Sequence, residues 1–243
     1  MTPALREGVT LDSLGPRLSS CLPPEQREAH YDAIAGTYDV LVRSRLYNRL
    51  IWGVSRDLYR AFIGEALAAA GDGLLLDAGC GSAVLSAPAY RAHPVDAVLL
   101  DLSLGMLKRA ERRVPEGPDL VQGDLYDLPF ADGSVDAVLH FGIAHVLKDP
   151  PAAFAQLARV VKPGGTVHVG CLVQSGRTCG DLWLRMLQVA GEVAPARPPE
   201  QVVGWLEAHG EVRSRVEGSW LLATLRTPRA AGSVTTGASR GAR

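Results

Sequence analysis

The chain has few aromatic residues, few cysteines and almost no net charge. Aromatic residues make up 6% of the 243 positions, and the formal net charge is -1. A near-neutral chain has no field that attracts nucleic acid or an acidic membrane surface, so we expect neither partner. The four cysteines form no C-x-x-C pair, which argues against a metal site and indicates a reduced, cytoplasmic protein.

Long apolar runs are also missing. No run approaches the ~18 residues that a membrane span requires, so we expect no stable membrane insertion. Residues 1–30 contain prolines and charged residues without an apolar core, and they therefore do not resemble a signal peptide. The hydrophobic content of 47% is enough for a sizeable core, and the length fits one domain with short extensions.

Strand and helix patterns alternate through the middle of the chain. Apolar strand patterns near 74–77, 96–100, 119–121, 135–141 and 166–172 are separated by helical stretches. This alternation predicts an α/β fold with a Rossmann-like, doubly wound, mostly parallel sheet. Two further strands on either side of Gly218 and Ser219 predict an antiparallel C-terminal hairpin, which brings the sheet to seven strands.

The same patterns predict the domain boundaries. A single domain spans 30–227, preceded by a flexible N-terminal arm over 1–29 and followed by a disordered tail over 228–243. Within the domain we expect three parts: a helical lid over 30–70, a ligand-binding core over 71–172, and acceptor-side helices with the edge hairpin over 173–227.

The centre of the chain is a glycine turn after the first core strand. Gly79 and Gly81 permit close backbone approach to a nucleotide-like ligand, and Asp77 ends the strand before them. Asp101 ends the next apolar strand, 24 residues after Asp77, where a carboxylate can accept from both ribose hydroxyls. From these residues alone, NAD and S-adenosylmethionine (SAM) are both candidate cofactors.

Four segments in a fixed order resemble the class I SAM-dependent methyltransferases. They are residues 75–81, 101–110, 123–130 and 159–165. Two more segments, 33–39 and 141–146, resemble the ubiquinone/menaquinone-biosynthesis C-methyltransferases and their small-molecule relatives. The resemblance fades after Leu172, in the part of such enzymes where substrate specificity is usually built. It implies SAM as the cofactor.

The resemblance also implies which residues hold the methionine end of SAM. The turn against it would be formed by Asp77, Ala78, Gly79, Cys80 and Gly81. A carboxylate and turn carbonyls suit its ammonium group. Phe141 and Gly142 would close the turn beneath the sulfonium. Ala83 stands where the family has a third glycine, and we expect its methyl group to tighten the turn without abolishing binding.

For the nucleoside end, the resemblance implies contacts from the next two loops. Asp101 would bind the ribose hydroxyls, and Leu102 and Met106 would flank the adenine ring. Asp124 would accept from the adenine amino group, and Leu125 would supply backbone contacts. Gly123, just before them, is a further cofactor-binding residue.

Methyl transfer from a sulfonium needs little more than positioning, because the donor is already activated. If the acceptor must lose a proton, a base helps. His145 is the first candidate, since it follows a core strand on the loop where ligands bind, although it could equally pack that loop. Tyr38 in the lid is the second candidate, with anchoring of a helix as its alternative. Candidates for an apolar acceptor pocket, or for ordinary core, are Trp183, Met186, Leu187 and Trp205.

We therefore expect SAM-dependent methyl transfer to a small, largely apolar organic acceptor at oxygen, carbon or nitrogen, as in natural-product tailoring. One alternative is a quinone-ring C-methyltransferase. An alternative of another class is a SAM-binding cyclase that does not methylate, or a binding module. Formation of S-adenosylhomocysteine (SAH) distinguishes these classes.

Overall fold

The structure is a computed structural model that describes residues 3–27, 44–114 and 116–229. Tyr38 and the rest of the stretch 28–43, which contains the start of the predicted lid, lie outside the described residues. So do residues 230–243 of the predicted tail. Within the described ranges, no helix is both long enough and apolar enough to cross a membrane.

The described residues form one sheet of nine strands, in the order β1-β2-β5-β4-β3-β6-β7-β9-β8. The strands are β1 Asp12–Ser13, β2 Leu18–Ser20, β3 Leu74–Ala78, β4 Asp96–Asp101, β5 Asp119–Gln122, β6 Val135–Phe141, β7 Val161–Leu172, β8 Glu211–Glu217 and β9 Trp220–Arg226. The helices are α1 Arg45–Tyr47, α2 Arg56–Ala70, α3 Ala87–Ala92, α4 Leu104–Glu111, α5 Pro150–Val160, α6 Thr178–Val189 and α7 Pro199–Glu207. A π-helical turn, Asn48–Trp52, continues α1.

The predicted fold class is confirmed. Strands β2, β5, β4, β3, β6 and β7 are parallel, and β9 and β8 add the antiparallel hairpin at one edge. The order reverses direction at β3, which has β4 on one side and β6 on the other. In open α/β sheets, ligands bind in the crevice at the carboxyl ends of the strands beside such a switch point.

Two strands exceed the seven that the sequence predicts, and both come from the predicted flexible arm. Leu18 and Ser20 pair in parallel with Leu120 and Gln122, and both residues are buried. The pairing satisfies backbone groups that would otherwise stand unpaired on the edge of β5. Strand β2 has only three residues and lies among prolines and charged residues. Its apolar alternation is therefore too short to predict a strand from the sequence.

Alternation along the strands places the core on both faces of the sheet. One layer holds Leu74 and Leu76 under α5 and α7, and the other holds Leu75 and Leu99 under α2, α3 and α4. Here the structure differs from the predicted lid. Helix α2 buries Ile63 and its neighbours at helical spacing on the sheet face, so it belongs to the core layer.

The buried amide of Gln122 joins three segments at the end of β5. Its side chain is fully buried, and its Oε1 accepts a hydrogen bond from Ser20 Oγ at 3.0 Å. Its Nε2 donates to the carbonyl oxygens of Arg27 at 2.8 Å and Leu102 at 3.0 Å. One side chain therefore links the N-terminal segment to the loop after β4.

We predict that Gln122→Leu lowers the free energy of unfolding by about 2 kcal/mol or more, because it leaves buried polar partners unsatisfied. Urea unfolding followed by circular dichroism measures the change. Gln201→Leu, at an exposed position of α7, is the matched control and should change stability by less than about 0.5 kcal/mol. Equal losses of stability in the two variants would contradict this linking role of the Gln122 side chain.

Candidate cofactor site

The glycine turn after β3 is held against β4 by its own backbone. The amides of Gly79 and Cys80 donate to the carbonyl oxygen of Leu100 at 2.7 and 3.0 Å. Gly79 has φ +78°, and a Cβ there would lie 2.9 Å from the Ile143 side chain. Gly81 has φ +54°, and a Cβ there would meet nothing within 4 Å. The turn is thus packed on one side and borders open space on the other.

Asp101 connects the loops after β3 and β4. Its Oδ2 accepts a hydrogen bond from the Gly81 amide at 2.7 Å, and its Oδ1 accepts from the Ser103 amide at 2.9 Å. The amide of Gly123 in turn donates to the Asp101 carbonyl oxygen at 3.1 Å. Three of the loops that the sequence assigns to the cofactor are therefore linked by hydrogen bonds through one residue.

Asp77 is a buried carboxyl beneath the turn, with 2% of its surface exposed. Its Oδ2 accepts a hydrogen bond from the Tyr90 hydroxyl at 2.9 Å. Burial raises the pKa of Asp77 to about 7, and the nearby Asp101 adds to the rise. Sequence reasoning missed Tyr90. The signal was available, because it is the tyrosine of the first helix after the turn.

The residues predicted to hold adenine lie on two neighbouring loops. Leu102 is 43% exposed beside the turn, whereas Met106 is buried in the first turn of α4, where its amide donates to Ser103 Oγ. Asp124 Oδ1 accepts a hydrogen bond from the Tyr126 amide at 2.9 Å, which fixes the loop after β5. Leu125 is buried against the core. The structure brings these loops together, and Met106, Gly123 and Leu125 are the buried residues among those predicted to surround adenine.

Phe141, at the end of β6, belongs to an aromatic cluster. Its ring stacks on Trp220 with centroids 4.8 Å apart and planes 10° apart, and Tyr59 meets it edge-on at 5.3 Å. The amide of the next residue, Gly142, donates to the Gly170 carbonyl oxygen at 2.8 Å. Sequence reasoning missed Trp220. Its antiparallel pairing with Leu172 carries it to the carboxyl end of the sheet.

The two tryptophans predicted for an acceptor pocket are separated in the structure. Trp183 meets Tyr47 at 6.0 Å and packs against the cluster that contains Trp220. Trp205 lies on α7 and lines a narrow cavity beside His145. Leu187 packs against the same cluster as Trp183, whereas Met186 is 55% exposed.

His145 lies on the loop after β6, three residues beyond Gly142. Its Nδ1 lies 3.5 Å from the Leu172 amide, which donates to it, so the neutral ring carries its proton on Nε2. Although part of the residue remains exposed, burial of the ring lowers the pKa of His145 to about 4, and His140 and Arg197 add to the shift. Both features make it a weaker base than an ordinary histidine. Tyr38, the other candidate, lies outside the described residues.

The site suits the cofactor that the sequence resemblance implies. Open space beside Gly81 lets a ligand approach the turn backbone, and the Asp77 carboxyl beneath the turn suits an ammonium group. The Asp101 carboxylate stands one strand away, where ribose hydroxyls would need an acceptor. Each of these features fits the corresponding part of SAM.

Comparisons with known proteins support the class that the sequence resemblance implies. Residues 76–169 match the model of the family described as methyltransferase domain. A demethylmenaquinone methyltransferase of Renibacterium salmoninarum is 39% identical over 147 residues, which cover 60% of this chain and 58% of that protein. The segment 76–169 is therefore similar to a methyltransferase domain, and the chain spans less than two thirds of the length of this relative.

Solved structures confirm the fold at low sequence identity. The (4+2)-cyclase SpnF is 18% identical, with a TM-score of 0.65 over 82% of this chain and 94% of that chain. A geranyl diphosphate C-methyltransferase from Streptomyces coelicolor, solved in complex with SAH, is 15% identical, with a TM-score of 0.57 over 84% of this chain and 95% of that chain. These likenesses show the Rossmann-like fold.

Ala83 has a backbone conformation that favours glycine. Its φ is +53°, its amide donates to the Cys80 carbonyl oxygen at 2.9 Å, and 2% of its surface is exposed. A residue with a Cβ is strained in the left-handed region. The third position of the glycine turn therefore keeps a left-handed backbone conformation, although its residue is alanine.

We predict that Ala83→Gly raises the free energy of unfolding by about 0.5–1 kcal/mol, because relief of strain outweighs the greater freedom of the unfolded chain. Gly81→Ala, the reverse change at the neighbouring left-handed position, should lower it by about 1 kcal/mol. Chemical denaturation of the ligand-free variants measures both. Destabilisation by Ala83→Gly would show that the buried methyl group matters more than the strain.

We predict that Asp77 makes the protein less stable as pH rises from about 4 to about 7. Across this window the unfolded chain loses the Asp77 proton first, so ionisation favours the unfolded state by on the order of 1 kcal/mol per pH unit. Asp77→Asn removes the group while keeping an acceptor for Tyr90. Urea unfolding at several pH values should show the wild type losing stability relative to this variant as pH rises.

Asp72→Asn is the control for this measurement, because Asp72 is exposed at the opposite end of β3. This variant should follow the wild-type pH dependence. Parallel stability curves for the wild type and Asp77→Asn would contradict the raised pKa.

Proposed function

We propose that the protein transfers a methyl group from SAM to a small, largely apolar organic acceptor. One observation carries the proposal: Asp77 and Asp101 stand at the carboxyl ends of adjacent parallel strands, on either side of a glycine turn, within the segment that matches the methyltransferase family. A methionine ammonium and a pair of ribose hydroxyls are the cationic and hydrogen-bonding groups that such an arrangement suits.

In this proposal each loop holds one part of the cofactor. The turn 77–81 receives the methionine end, with the Asp77 carboxyl facing the ammonium group. Asp101 accepts from the ribose hydroxyls, and the loops 102–106 and 123–125 surround adenine. When bound, SAM supplies a methyl group already activated by its sulfonium. The chain's own residues then position the two reactants and exclude water.

The aromatic cluster at the end of β6 supports an apolar acceptor. Phe141, Trp220 and Tyr59 pack together beside Gly142, and Trp220 is 5% exposed. Such a surface excludes water from one side of the predicted methyl path and suits an apolar or aromatic molecule. The name of the Renibacterium relative makes a quinone ring one candidate acceptor.

A second function of another class has one specific observation in its favour. The structural neighbour SpnF is named as a cyclase and not as a methyltransferase. The same fold therefore also occurs in a protein named for a different reaction. The weak basicity of His145 is compatible with either function, since neither requires that residue to remove a proton. Release of SAH with an acceptor separates the two.

We predict that calorimetric titration of SAM and SAH into the wild type gives micromolar binding. Asp101→Ala should weaken it at least tenfold, because lost charged hydrogen bonds cost about 1.5–3 kcal/mol. Asp101→Asn keeps one acceptor oxygen, so its affinity should lie between those of the wild type and Asp101→Ala. Asp72→Asn, outside the site, should bind as the wild type does.

Thermal unfolding of each variant checks that the glycine turn survives the loss of its partner. Failure of the wild type to bind either ligand would contradict the proposed cofactor. If both ligands bind, acceptor screening for SAH release follows. Product formation without SAH release would then favour the cyclase.

A further inference from the structure

Two neighbouring segments carry an unusual share of the exposed apolar surface. Nine large apolar side chains are exposed among the described residues, and five of them lie either on α1 with its π-helical turn or on α6. These five, here called the outer face, are Leu46, Leu50, Leu182, Met186 and Val189, with exposed fractions from 55% to 88%. Apolar side chains scattered singly over a surface need no explanation, whereas a concentration of them marks an interaction surface.

The two segments of the outer face pack against each other. The π-helical turn contacts α6, and the Tyr47 ring meets Trp183 with centroids 6.0 Å apart. The exposed residues are spaced four apart on α1 and four and three apart on α6, so each set lies along one side of its helix. Tyr47 and Trp183 point the other way, onto the cluster that contains Trp220 and Phe141. The outer face is thus the solvent side of a layer that covers this aromatic cluster.

Positive charge surrounds the outer face. From cap to cap, the segments 44–53 and 177–190 contain one acidic residue, Asp181, and four arginines, which are Arg45, Arg49, Arg177 and Arg185. All four arginines are exposed, and none of them pairs with a carboxylate of the described residues. Asp181 instead accepts hydrogen bonds from two backbone amides of the loop before α6, both at 3.0 Å.

One arginine joins the two segments. A Cβ on Gly53, which caps the π-helical turn, would lie 2.6 Å from the guanidinium carbon of Arg177, so this cation lies across the turn. The local excess of arginine differs from what the net charge of -1 implies for the whole chain, because the acidic residues are concentrated elsewhere. An expectation drawn from net charge alone therefore misses this face.

We propose that the outer face docks the protein on an anionic lipid membrane. Apolar side chains on one side of a helix, with arginines beside them, suit the boundary between acyl chains and headgroups: the leucines enter it and the guanidinium groups meet lipid phosphates. A second copy of the chain fits less well, because a twofold contact through this face would bring eight arginines together.

Such docking is peripheral, since no helix in the described part of the chain is able to cross a membrane. It would also turn the aromatic cluster beside Gly142 toward the lipid, so that an apolar acceptor dissolved in the membrane could reach it. Only this last consequence rests on the proposed function. The docking itself does not require methyl transfer.

Sedimentation with lipid vesicles tests the docking on the full chain. Vesicles of equal parts phosphatidylcholine and phosphatidylglycerol should bind the wild type, and vesicles of phosphatidylcholine alone should bind it at least about tenfold more weakly. Arg49→Gln should lower the partition coefficient for the anionic vesicles about fivefold. Leu50→Ser and Met186→Ser should each lower it about fivefold or more, because less apolar surface enters the lipid.

Arg112→Gln and Leu14→Ser are the matched controls, because both positions are exposed and lie on the other half of the sheet, after α4 and beside β1. Both variants should bind the anionic vesicles as the wild type does. Circular dichroism checks that every variant is folded.

Three outcomes would overturn the inference. The first is a wild type that does not bind the anionic vesicles or binds neutral vesicles equally well. The second is unchanged binding in Arg49→Gln, Leu50→Ser and Met186→Ser. The third is a dimer of the wild type in sedimentation velocity without lipid that Leu50→Ser abolishes, which would assign the outer face to a second copy. Failure of SAH to bind would instead contradict the proposed function and would leave the vesicle measurements unaffected.

Discussion

The hydrogen bond between the Gly81 amide and the Asp101 carboxylate sets the spacing between the loops after β3 and β4. Parallel strands bring their carboxyl ends to one edge, but they leave the loops there free to spread. Asp101 removes that freedom, because its side chain holds one loop and its carbonyl oxygen receives the amide of Gly123 in the next. The candidate cofactor site is therefore already assembled in the protein alone, which lowers the entropy that binding must overcome.

Local patterns predicted the parts of the structure that local forces determine. The alternation of strands and helices, the C-terminal hairpin and the glycine turn all follow from residues close together in sequence. The unpredicted parts depend on contacts across the chain. Strand β2 exists because it pairs with β5, and Tyr90 matters because the fold places it over Asp77. For β2, no spacing or composition contains that information; for Tyr90, only its place in the first helix after the turn points to it.

The site combines two features that reduce stability, which is common where a protein must bind a ligand. A carboxyl is buried under the turn, and Ala83 takes up a left-handed conformation close by. A ligand ammonium that pairs with Asp77 would favour its charged form, so binding would relieve part of the cost of burying it. A neutral side chain at position 77 would therefore stabilise the fold, but it would not pair with the ammonium group of the ligand.

The parallel pairing of β2 with β5 also affects the order in which the chain folds. Ser20 bonds to Gln122 across 102 residues of sequence, and closing so long a loop is entropically costly. The segment that contains β2 leaves the ribosome before β5 does, yet it has no sheet edge to join until β5 has been synthesised and paired with β4. It therefore joins the sheet late in folding, after the central strands, and it has no strand partner in the sheet until then.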